Sequence, residues 1–257
     1  FKLDYRNNRN GQGLSRSDKL VSPRLGLVYK PVNPLSLYAS YSVSYLPYSG
    51  DQFTTLDVTT QTLKPEKFTN YEIGAKWDVL PSLAFNAAIY QLDRTNTRAT
   101  DPTNPALTVQ TGSTRSKGVE LGLSGNITPA WQIMGGYAYQ DAYINSDTNA
   151  ARAGAKAALV PRHSVSLWNK YQITSAWAAG LGVLYQDDSY AAINNQVKLP
   201  AFTRVDAAVY YKINKDLRAQ LNLENLFDRR YFPTANGNDN ITPGSPRAVR
   251  VSLAANF

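Results

Sequence analysis

The last ten residues of the chain alternate between apolar and polar positions. In AVRVSLAANF the apolar positions are Val249, Val251, Leu253, Ala255 and Phe257, and Arg250, Ser252, Ala254 and Asn256 separate them. A period of two is typical of a β-strand with one apolar and one wet face. We therefore predict that residues 247–257 form a strand that ends on an aromatic residue.

The same period recurs along most of the chain. It is clearest in LSLYASYSVSY (35–45), RVDAAVYYKI (204–213) and LRAQLNLENLF (217–227). Similar patterns cover 24–30, 71–79, 83–93, 117–127, 131–141, 163–173 and 177–186. With the opening FKLDYR, about twelve strands are predicted, and helical periodicity is hard to find.

The connections between these strands alternate between short and long. Short turns rich in Pro, Asn, Asp and Ser fall near residues 32, 81, 129, 175 and 215. Long polar connections fall at 46–69, 94–116, 141–162, 187–201 and 228–246. Long loops are uncommon in compact soluble domains but typical of one side of an outer-membrane barrel. No composition break divides the chain, so residues 1–257 are predicted to belong to one domain.

The pattern favours an all-β fold, a transmembrane antiparallel β-barrel whose apolar face contacts lipid. Aromatic residues near predicted strand ends suit a membrane girdle; they are Tyr45, Trp77, Trp131, Tyr139, Trp177, Tyr185, Phe227 and Phe257. A soluble sandwich or barrel with its apolar face turned inward is the alternative. The uniform polar faces of so many strands argue against it.

The amino-acid composition excludes several kinds of functional site. The chain has no cysteine and one histidine, which excludes disulfides, thiol catalysis and multi-histidine metal sites. No apolar run of about 18 residues occurs, so no transmembrane helix is predicted. The start lacks the apolar segment of a signal peptide, so residue 1 is not expected to be the biological start. The net charge of +8 suggests an anionic partner, but its scattered cations do not predict nucleic-acid binding.

Four segments resemble one family. They are LKPEKFTNYEIGAKWD (63–78), SKGVELGLSGNITPAWQIMGGYAY (116–139), LPAFTRVDAAVYYKINKDLRAQLNLENLFDRRYF (199–232) and PGSPRAVRVSLAANF (243–257). Together with residues 21–45, they resemble the C-terminal half of TonB-dependent siderophore receptors of the outer membrane. NLFDRRY followed by a strand ending in Phe is the most specific part.

The resemblance implies a fold, a location and partners. The family fold is a 22-stranded barrel around an N-terminal plug, so about twelve C-terminal strands are expected here, with the plug absent from this sequence. A fragment of a longer receptor is therefore expected. The implied location is the outer membrane of a Gram-negative bacterium. The implied ligand is a ferric siderophore, possibly of catecholate or hydroxamate type, and TonB would act through the plug region. The family also implies that Phe257 is read by the barrel-assembly machinery.

Arginine and aromatic residues in the long connections are the candidate ligand-binding residues. Arginine supplies charge and a stacking plane, and aromatic rings supply rigid apolar area. The candidates are Tyr45, Tyr48, Tyr143, Arg162, His163, Tyr190, Arg229, Arg230, Tyr231 and Phe232. For each alone, a membrane girdle, lipopolysaccharide phosphate or solvent is the alternative. Arg229 and Arg230 follow NLFD, so anchoring a strand end is a further alternative for them.

No catalytic or metal site is predicted. A phospholipase would need His163 and a serine such as Ser166, but no nucleophile motif accompanies them. Asp187–Asp188 and the loop 236–240 lack the spacing of a calcium loop. We predict a transport receptor with no covalently bound cofactor. A complete small barrel of about twelve strands, acting as a passive pore or phospholipase, remains the alternative, as does a soluble all-β binding protein.

Overall fold

A single antiparallel sheet dominates the structure. The computed structural model describes residues 2–6, 11, 13–47, 64–100, 103–104, 108–148 and 151–256. Its strands are β1 (Lys2–Arg6), β2 (Gly13–Ser17), β3 (Arg24–Val32), β4 (Leu35–Leu46), β5 (Glu66–Leu80), β6 (Leu83–Thr100), β7 (Thr108–Thr128), β8 (Trp131–Ile144), β9 (His163–Gln172), β10 (Trp177–Gln186), β11 (Ser189–Tyr190), β12 (Lys198–Leu199), β13 (Phe202–Lys212), β14 (Leu217–Glu224), β15 (Thr234–Ala235), β16 (Ile241–Thr242) and β17 (Ala248–Ala255). Among these residues, eleven strands form the sheet in the order β17-β14-β13-β10-β9-β8-β7-β6-β5-β4-β3. No helix occurs in the described ranges.

The eleven strands of the sheet match eleven of the predicted strands. The twelfth, β1, pairs instead with β2 in a separate hairpin. The prediction that 94–116 is a connection is wrong for most of this range. β6 continues to Thr100 and β7 begins at Thr108, and the two remain paired over these residues. β7 has 21 residues, roughly 70 Å of strand, whereas the apolar band of an outer-membrane barrel is about 25 Å tall. The two strands therefore extend beyond any membrane.

The strands follow each other closely at one end of the sheet, which we call the turn end. Three of its turns share one local device. The side chains of Thr128, Thr174 and Asn214 each accept a hydrogen bond from the backbone N–H three residues later, at Trp131, Trp177 and Leu217. Such side-chain bonds close tight turns between neighbouring strands. We call the opposite end, with the long connections, the loop end.

Strand register sorts the side chains onto two faces. In all ten pairings of the sheet, partner residues have numbers of the same parity, except beside short turns and at one bulge. Side chains alternate along a strand, so odd-numbered residues share one face across all eleven strands. The exposed residues Ile73, Ile89, Leu181, Val251 and Leu253 show that this outward face is apolar.

The inward face carries the even-numbered residues and is polar. It presents, for example, Glu72, Lys170, Gln220 and Arg250. Trp77, Trp131 and Trp177 lie on the outward face next to the turn end, with exposed rings, as a membrane girdle requires. The arrangement matches the predicted lipid-facing and lumen-facing alternation.

Glycines on the inward face let large rings lie against the wall. A Cβ at Gly180 would lie 2.5 Å from Cζ2 of Trp168, and one at Gly74 would lie 2.5 Å from Cζ of Tyr38. Each ring therefore covers backbone of the neighbouring strand that a side chain would otherwise occupy. The rings lie flat against the sheet and fill the space that a side chain at the glycine would occupy.

Long connections at the loop end pack on one another and on the inward face. Ile144 of β8, only 1% exposed, contacts Ala151 and Ile193 in one apolar cluster. Ala191, Leu199 and Ala235 form a second cluster, against which Phe232 packs. These clusters hold the connections at 151–162, 187–201 and 225–247 against the loop end of the wall.

We predict that Gly180→Val destabilises the barrel by about 1–3 kcal/mol, because the valine displaces Trp168 from the wall. Gly136→Val is the matched control: Gly136 lies on the interior strand β8 with the same parity, and no side chain lies within 4 Å of a Cβ there, only the Leu121 carbonyl oxygen at 3.2 Å. In the full-length protein, folded barrel is quantified by its shifted migration in unheated electrophoresis after graded heating. Equal midpoints for the two variants would contradict the packing role of Gly180.

Candidate ligand-binding site at the loop end

A charged pair marks the inward face near the loop end. Nε and Nη2 of Arg94, on β6, donate hydrogen bonds to Oε1 of Glu66, on β5, at 2.9 and 2.6 Å. The Arg94 guanidinium carbon also lies 5.0 Å from the centre of the Phe68 ring. Glu66 is only 4% exposed, whereas the Arg94 side chain is 39% exposed. The buried carboxylate thus holds a guanidinium that still reaches open space.

Arg94 borders a cavity of about 220 Å³ between the wall and the packed connections. Thr97, Thr114 and Ile144 line the wall side, and Ala158 and Ile193 line the connection side. Thr97 faces inward despite its odd number because a bulge precedes it, where Asn96 has a φ of 58°. The cavity is smaller than the roughly 300–1,000 Å³ of typical ligand sites, so it suits part of a bulky ligand.

A second inward arginine, Arg204 on β13, is already neutralised. Its guanidinium donates to Asp206 at 2.9 Å, to Glu224 at 3.0 Å and to the Tyr231 hydroxyl at 3.0 Å. Tyr231 is buried, its ring centre 4.6 Å from that of Phe202. Because two carboxylates and a phenol surround Arg204, it is less suited than Arg94 to hold an anionic ligand.

The NLFDRR segment (residues 225–230) forms a compact turn after β14. Asn225, 1% exposed with a φ of 52°, donates through Nδ2 to the carbonyls of Arg229 and Ser245 at 2.9 and 3.0 Å. Its Oδ1 accepts from the Arg229 N–H at 2.8 Å, and Asp206 Oδ1 accepts from the Asn225 N–H at 2.8 Å. The Arg229 backbone thus anchors the strand end, while the side chains of Arg229 and Arg230 are exposed.

Three of the sequence candidates lie on strands with outward parity. Tyr45 is on β4, Tyr143 on β8 and His163 on β9. His163 Nδ1 hydrogen-bonds the Tyr137 hydroxyl at 2.9 Å, and its ring lies 5.2 Å from Tyr139. Register therefore directs these side chains away from the cavity beside Arg94.

The other candidates are dispersed over the loop end. Arg162 and Tyr190 line a pocket of about 210 Å³ with Asp141, Lys156 and Lys198. Phe232 packs in the apolar cluster of the connections. Tyr48 and Phe257 lie outside the described residues. The structure thus brings Arg162 and Tyr190 together but does not gather the whole set around one cavity.

Arg94, Glu66 and Phe68 were not among the sequence candidates. Residues 46–69 and 94–116 were both predicted as connections, so no inward face was assigned to them. The alternation of 83–93 continues to residue 94 and places Arg94 on the same face as Tyr90. This continued alternation is the sequence signal that could have identified Arg94 as an inward residue.

An ion pair on the outward face lies beyond the apolar rows. Arg115 Nε donates a hydrogen bond to Asp93 Oδ1 at 2.5 Å. Two residues closer to the turn end, Gln91 of β6 lies opposite Lys117 of β7, so polar residues continue on this face. The hydrogen bond from Arg115 lowers the pKa of the Asp93 carboxyl below its ordinary value, and burial opposes this only in part. Both residues lie on the polar extension of the β6–β7 hairpin, outside the membrane-spanning segment.

In the part of the chain that the structure describes, no group of three or more His, Asp or Glu side chains is arranged to hold a metal ion. No helix among the described residues is long and apolar enough to cross a membrane.

An antiparallel sheet with one lipid-suited face, one polar face, tight turns at one end and packed connections at the other is the wall of an outer-membrane β-barrel. Comparison with known proteins gives the family. The family model described as "TonB dependent receptor-like, beta-barrel" matches residues 1–226. The chain belongs to this family, whose members reside in the outer membrane of Gram-negative bacteria.

Three relatives illustrate the similarity. The chain is 34% identical over 254 residues to the probable TonB-dependent siderophore receptor PiuA of Acinetobacter baumannii, covering 92% of this chain and 34% of PiuA. It is 33% identical to the metal-pseudopaline receptor CntO of Pseudomonas aeruginosa, covering 94% and 34% of the two chains. It is 32% identical to the catecholate siderophore receptor Fiu of Escherichia coli K12, covering 95% and 33%.

The fold agrees with the solved structures. The crystal structure of PiuA superposes with a TM-score of 0.81 at 30% identity, over 98% of this chain and 38% of PiuA. The chain therefore spans about a third of the length of the curated relatives it matches.

We predict that Asn225→Ala loosens the segment after β14. It removes three side-chain hydrogen bonds, each contributing roughly 0.5–1.5 kcal/mol. Trypsin digestion of the full-length protein should then cleave faster after the exposed Arg229 and Arg230. Asn225→Gly is the companion variant, because it accepts the positive φ but lacks the bonds. Rapid cleavage in both variants would support the role of the Asn225 hydrogen bonds in holding this segment. Wild-type cleavage rates in both would contradict that role.

We predict that the Asp93–Arg115 pair stabilises the hairpin only above acidic pH. Because the folded pKa of Asp93 is lowered, its contribution is complete above the unfolded carboxyl pKa of about 3.9 and disappears as pH falls through the folded value. The Tm difference between wild type and Arg115→Gln should be constant above about pH 5 and shrink below about pH 4. An unchanged difference at pH 3 would refute the pair's role. Lys215→Gln, at the turn end, provides the control.

Proposed function

We propose that this chain forms part of the barrel wall of a TonB-dependent receptor that imports a ferric siderophore across the outer membrane. Membership of the receptor family and similarity to PiuA and Fiu support the activity. The open sheet supports a larger barrel: β3 and β17 are its outer strands and do not pair with each other. Unpaired strand edges are not tolerated in lipid, so further strands are expected to close the barrel.

The observation that carries the binding role is Arg94 at the cavity below the packed connections. We infer that the ligand enters from the loop end, which is extracellular in such barrels. Arg94 then offers an anionic chelate both its charge and the flat plane of its guanidinium as a stacking surface. The carboxylate of Glu66 keeps the guanidinium in place without enclosing it. The receptor performs no covalent chemistry on the ligand in this proposal.

We favour a catecholate over a hydroxamate siderophore. Ferric catecholates combine strong negative charge with aromatic rings, which suits the partly exposed Arg94 guanidinium at the cavity. Fiu, a catecholate siderophore receptor, is among the relatives. CntO is described as a metal-pseudopaline receptor, so a different metal chelate is the alternative ligand.

The remaining partners follow from the same proposal. TonB would act through a plug region belonging to the longer protein. Outer-membrane lipid and lipopolysaccharide would surround the outward face. The barrel-assembly machinery would recognise the terminal strand, including Phe257.

We predict that Arg94→Gln in the full-length receptor lowers uptake of a ferric catecholate about tenfold or more, since a charge-assisted contact is lost. Uptake of radiolabelled iron is measured in cells lacking other receptors for that chelate. Arg247→Gln is the matched control, because Arg247 is an exposed arginine at the loop end of β17, away from the cavity. The control variant should retain wild-type uptake.

Removing Arg94 alone leaves Glu66 buried without its partner, which can impair folding. The double variant Glu66→Gln with Arg94→Gln removes both charges and separates the two effects. A folded double variant with reduced ligand affinity supports the proposal. Normal affinity in that variant would overturn the role of Arg94, and equal affinity for catecholate and hydroxamate chelates would overturn the preference.

A further inference from the structure

A second cavity, of about 630 Å³, lies on the inward face next to the turn end. Its lining comes from β9, β10, β13, β14 and β17, and consists chiefly of even-numbered residues. Ala178 lies between Gln172 and Tyr210 in one row of the sheet, and Ala254 lies opposite Arg218 in the next. These small residues among long ones leave a hollow in the wall. Its volume is within the roughly 300–1,000 Å³ of typical ligand sites.

Three cations border this cavity. Lys212 of β13 is the register partner of Arg218 of β14, and both side chains are exposed. Lys170 of β9 lies farther from the turn end, and its Nζ is 4.5 Å from the centre of the Tyr210 ring. Within the ranges that the structure describes, none of the three forms an ion pair.

The carboxylates in the same part of the sheet leave this charge uncompensated. Asp206 and Glu224 lie in the next inward row toward the loop end, where they accept hydrogen bonds from Arg204 at 2.9 and 3.0 Å. Asp216 belongs to the exposed turn that joins β13 to β14 and does not line the cavity. The cavity therefore presents net positive charge to the lumen.

The cations occupy two levels along the wall. Lys170 is two inward rows from Lys212 and Arg218, a spacing of roughly 14 Å along the strands. Gln220 and Ser252 line the row between the two levels and supply polar groups there. Because lysine and arginine side chains are long, an anion passing along this part of the wall meets positive charge at both levels.

We propose that this cavity is a transit site for the anionic ferric chelate, which occupies it after leaving the cavity beside Arg94 and before exit at the turn end. The inference rests on the import function proposed for the receptor. Short turns are periplasmic in outer-membrane barrels, so the cavity lies on the exit side of the lumen. Exposed charges attract an anion only weakly because solvent screens them. Weak attraction suits a site that the ligand must leave again.

The test uses the full-length receptor in cells that lack other receptors for the probe, the radiolabelled ferric complex of dihydroxybenzoate. Binding to de-energised cells reports capture at the loop end, and uptake by energised cells reports passage along the lumen. Lys212→Gln combined with Arg218→Gln should leave the binding affinity unchanged and lower the maximum uptake rate about tenfold, since charge-assisted contacts on the exit path are lost. Lys212→Arg combined with Arg218→Lys retains both charges and should import at the wild-type rate.

Lys76→Gln combined with Lys215→Gln is the matched control. Lys76 has inward parity on β5 near the turn end, and Lys215 lies in the turn between β13 and β14. Neither residue lines the cavity. This variant loses the same amount of charge at the same end of the barrel, and it should import at the wild-type rate.

A lower uptake rate with unchanged affinity, restored by the charge-retaining variant, supports the transit site. Wild-type uptake by the neutralised variant would overturn the site and leave the import function intact. Weaker capture would also overturn it, because the cations would then belong to the primary binding site. So would TonB-independent entry of a bulky antibiotic, because the cations would then hold an acidic protein segment that closes the lumen. Failure of the wild-type receptor to bind or import any ferric chelate would overturn the proposed function, and the transit site with it.

Discussion

Pairing of every backbone N–H and C=O group between neighbouring strands is the constraint on which this structure depends. In hydrocarbon an unpaired backbone group has no water to bind, so each strand must keep an uninterrupted register with its neighbours. Because side chains alternate along a strand, that register also fixes which residues meet lipid. The same parity persists from β3 to β17, so one face is apolar and the other polar across the whole sheet. A slip of one residue in any pair would exchange the two faces of a strand, which explains why the turns are short and closed by side chains such as Thr174.

The constraint relaxes beyond the apolar rows, and the features suited to binding occur there. The β6–β7 hairpin continues outward, and its bulge at Asn96 turns Thr97 toward the lumen. A buried carboxylate at Glu66 is tolerated because the partner arginine satisfies it directly. The connections can then pack against the inward face, where Ile193 contacts Ile144 of β8. Water at this level solvates the backbone groups that they leave unpaired.

The sequence predicted the membrane-spanning part well and the loop end poorly, for a physical reason. Alternation is imposed by lipid on one side and lumen on the other, so LSLYASYSVSY and AVRVSLAANF could be recognised as strands. TNTRAT and TVQTGSTR are polar at nearly every position, because this part of the hairpin lies beyond the apolar rows. Nothing in their hydropathy separates a strand from a connection, so Arg94 was missed. Its partner Glu66 belongs to another strand, and the register that joins them depends on the whole sheet.

Arg94 and Arg204 show why residue type alone does not identify a binding site. Both are arginines of inward parity near the loop end, and both have carboxylate partners. Arg204 is surrounded by Asp206, Glu224 and the Tyr231 hydroxyl, so its hydrogen bonds tie the NLFDRRY segment to the wall. Arg94 has one carboxylate partner, on a single edge of the guanidinium, and borders open volume. An incoming anion gains a full charge-assisted contact at Arg94, whereas at Arg204 it would have to compete with carboxylates already in place. The difference in function that we propose for the two arginines therefore depends on the number of acids that register places around each guanidinium.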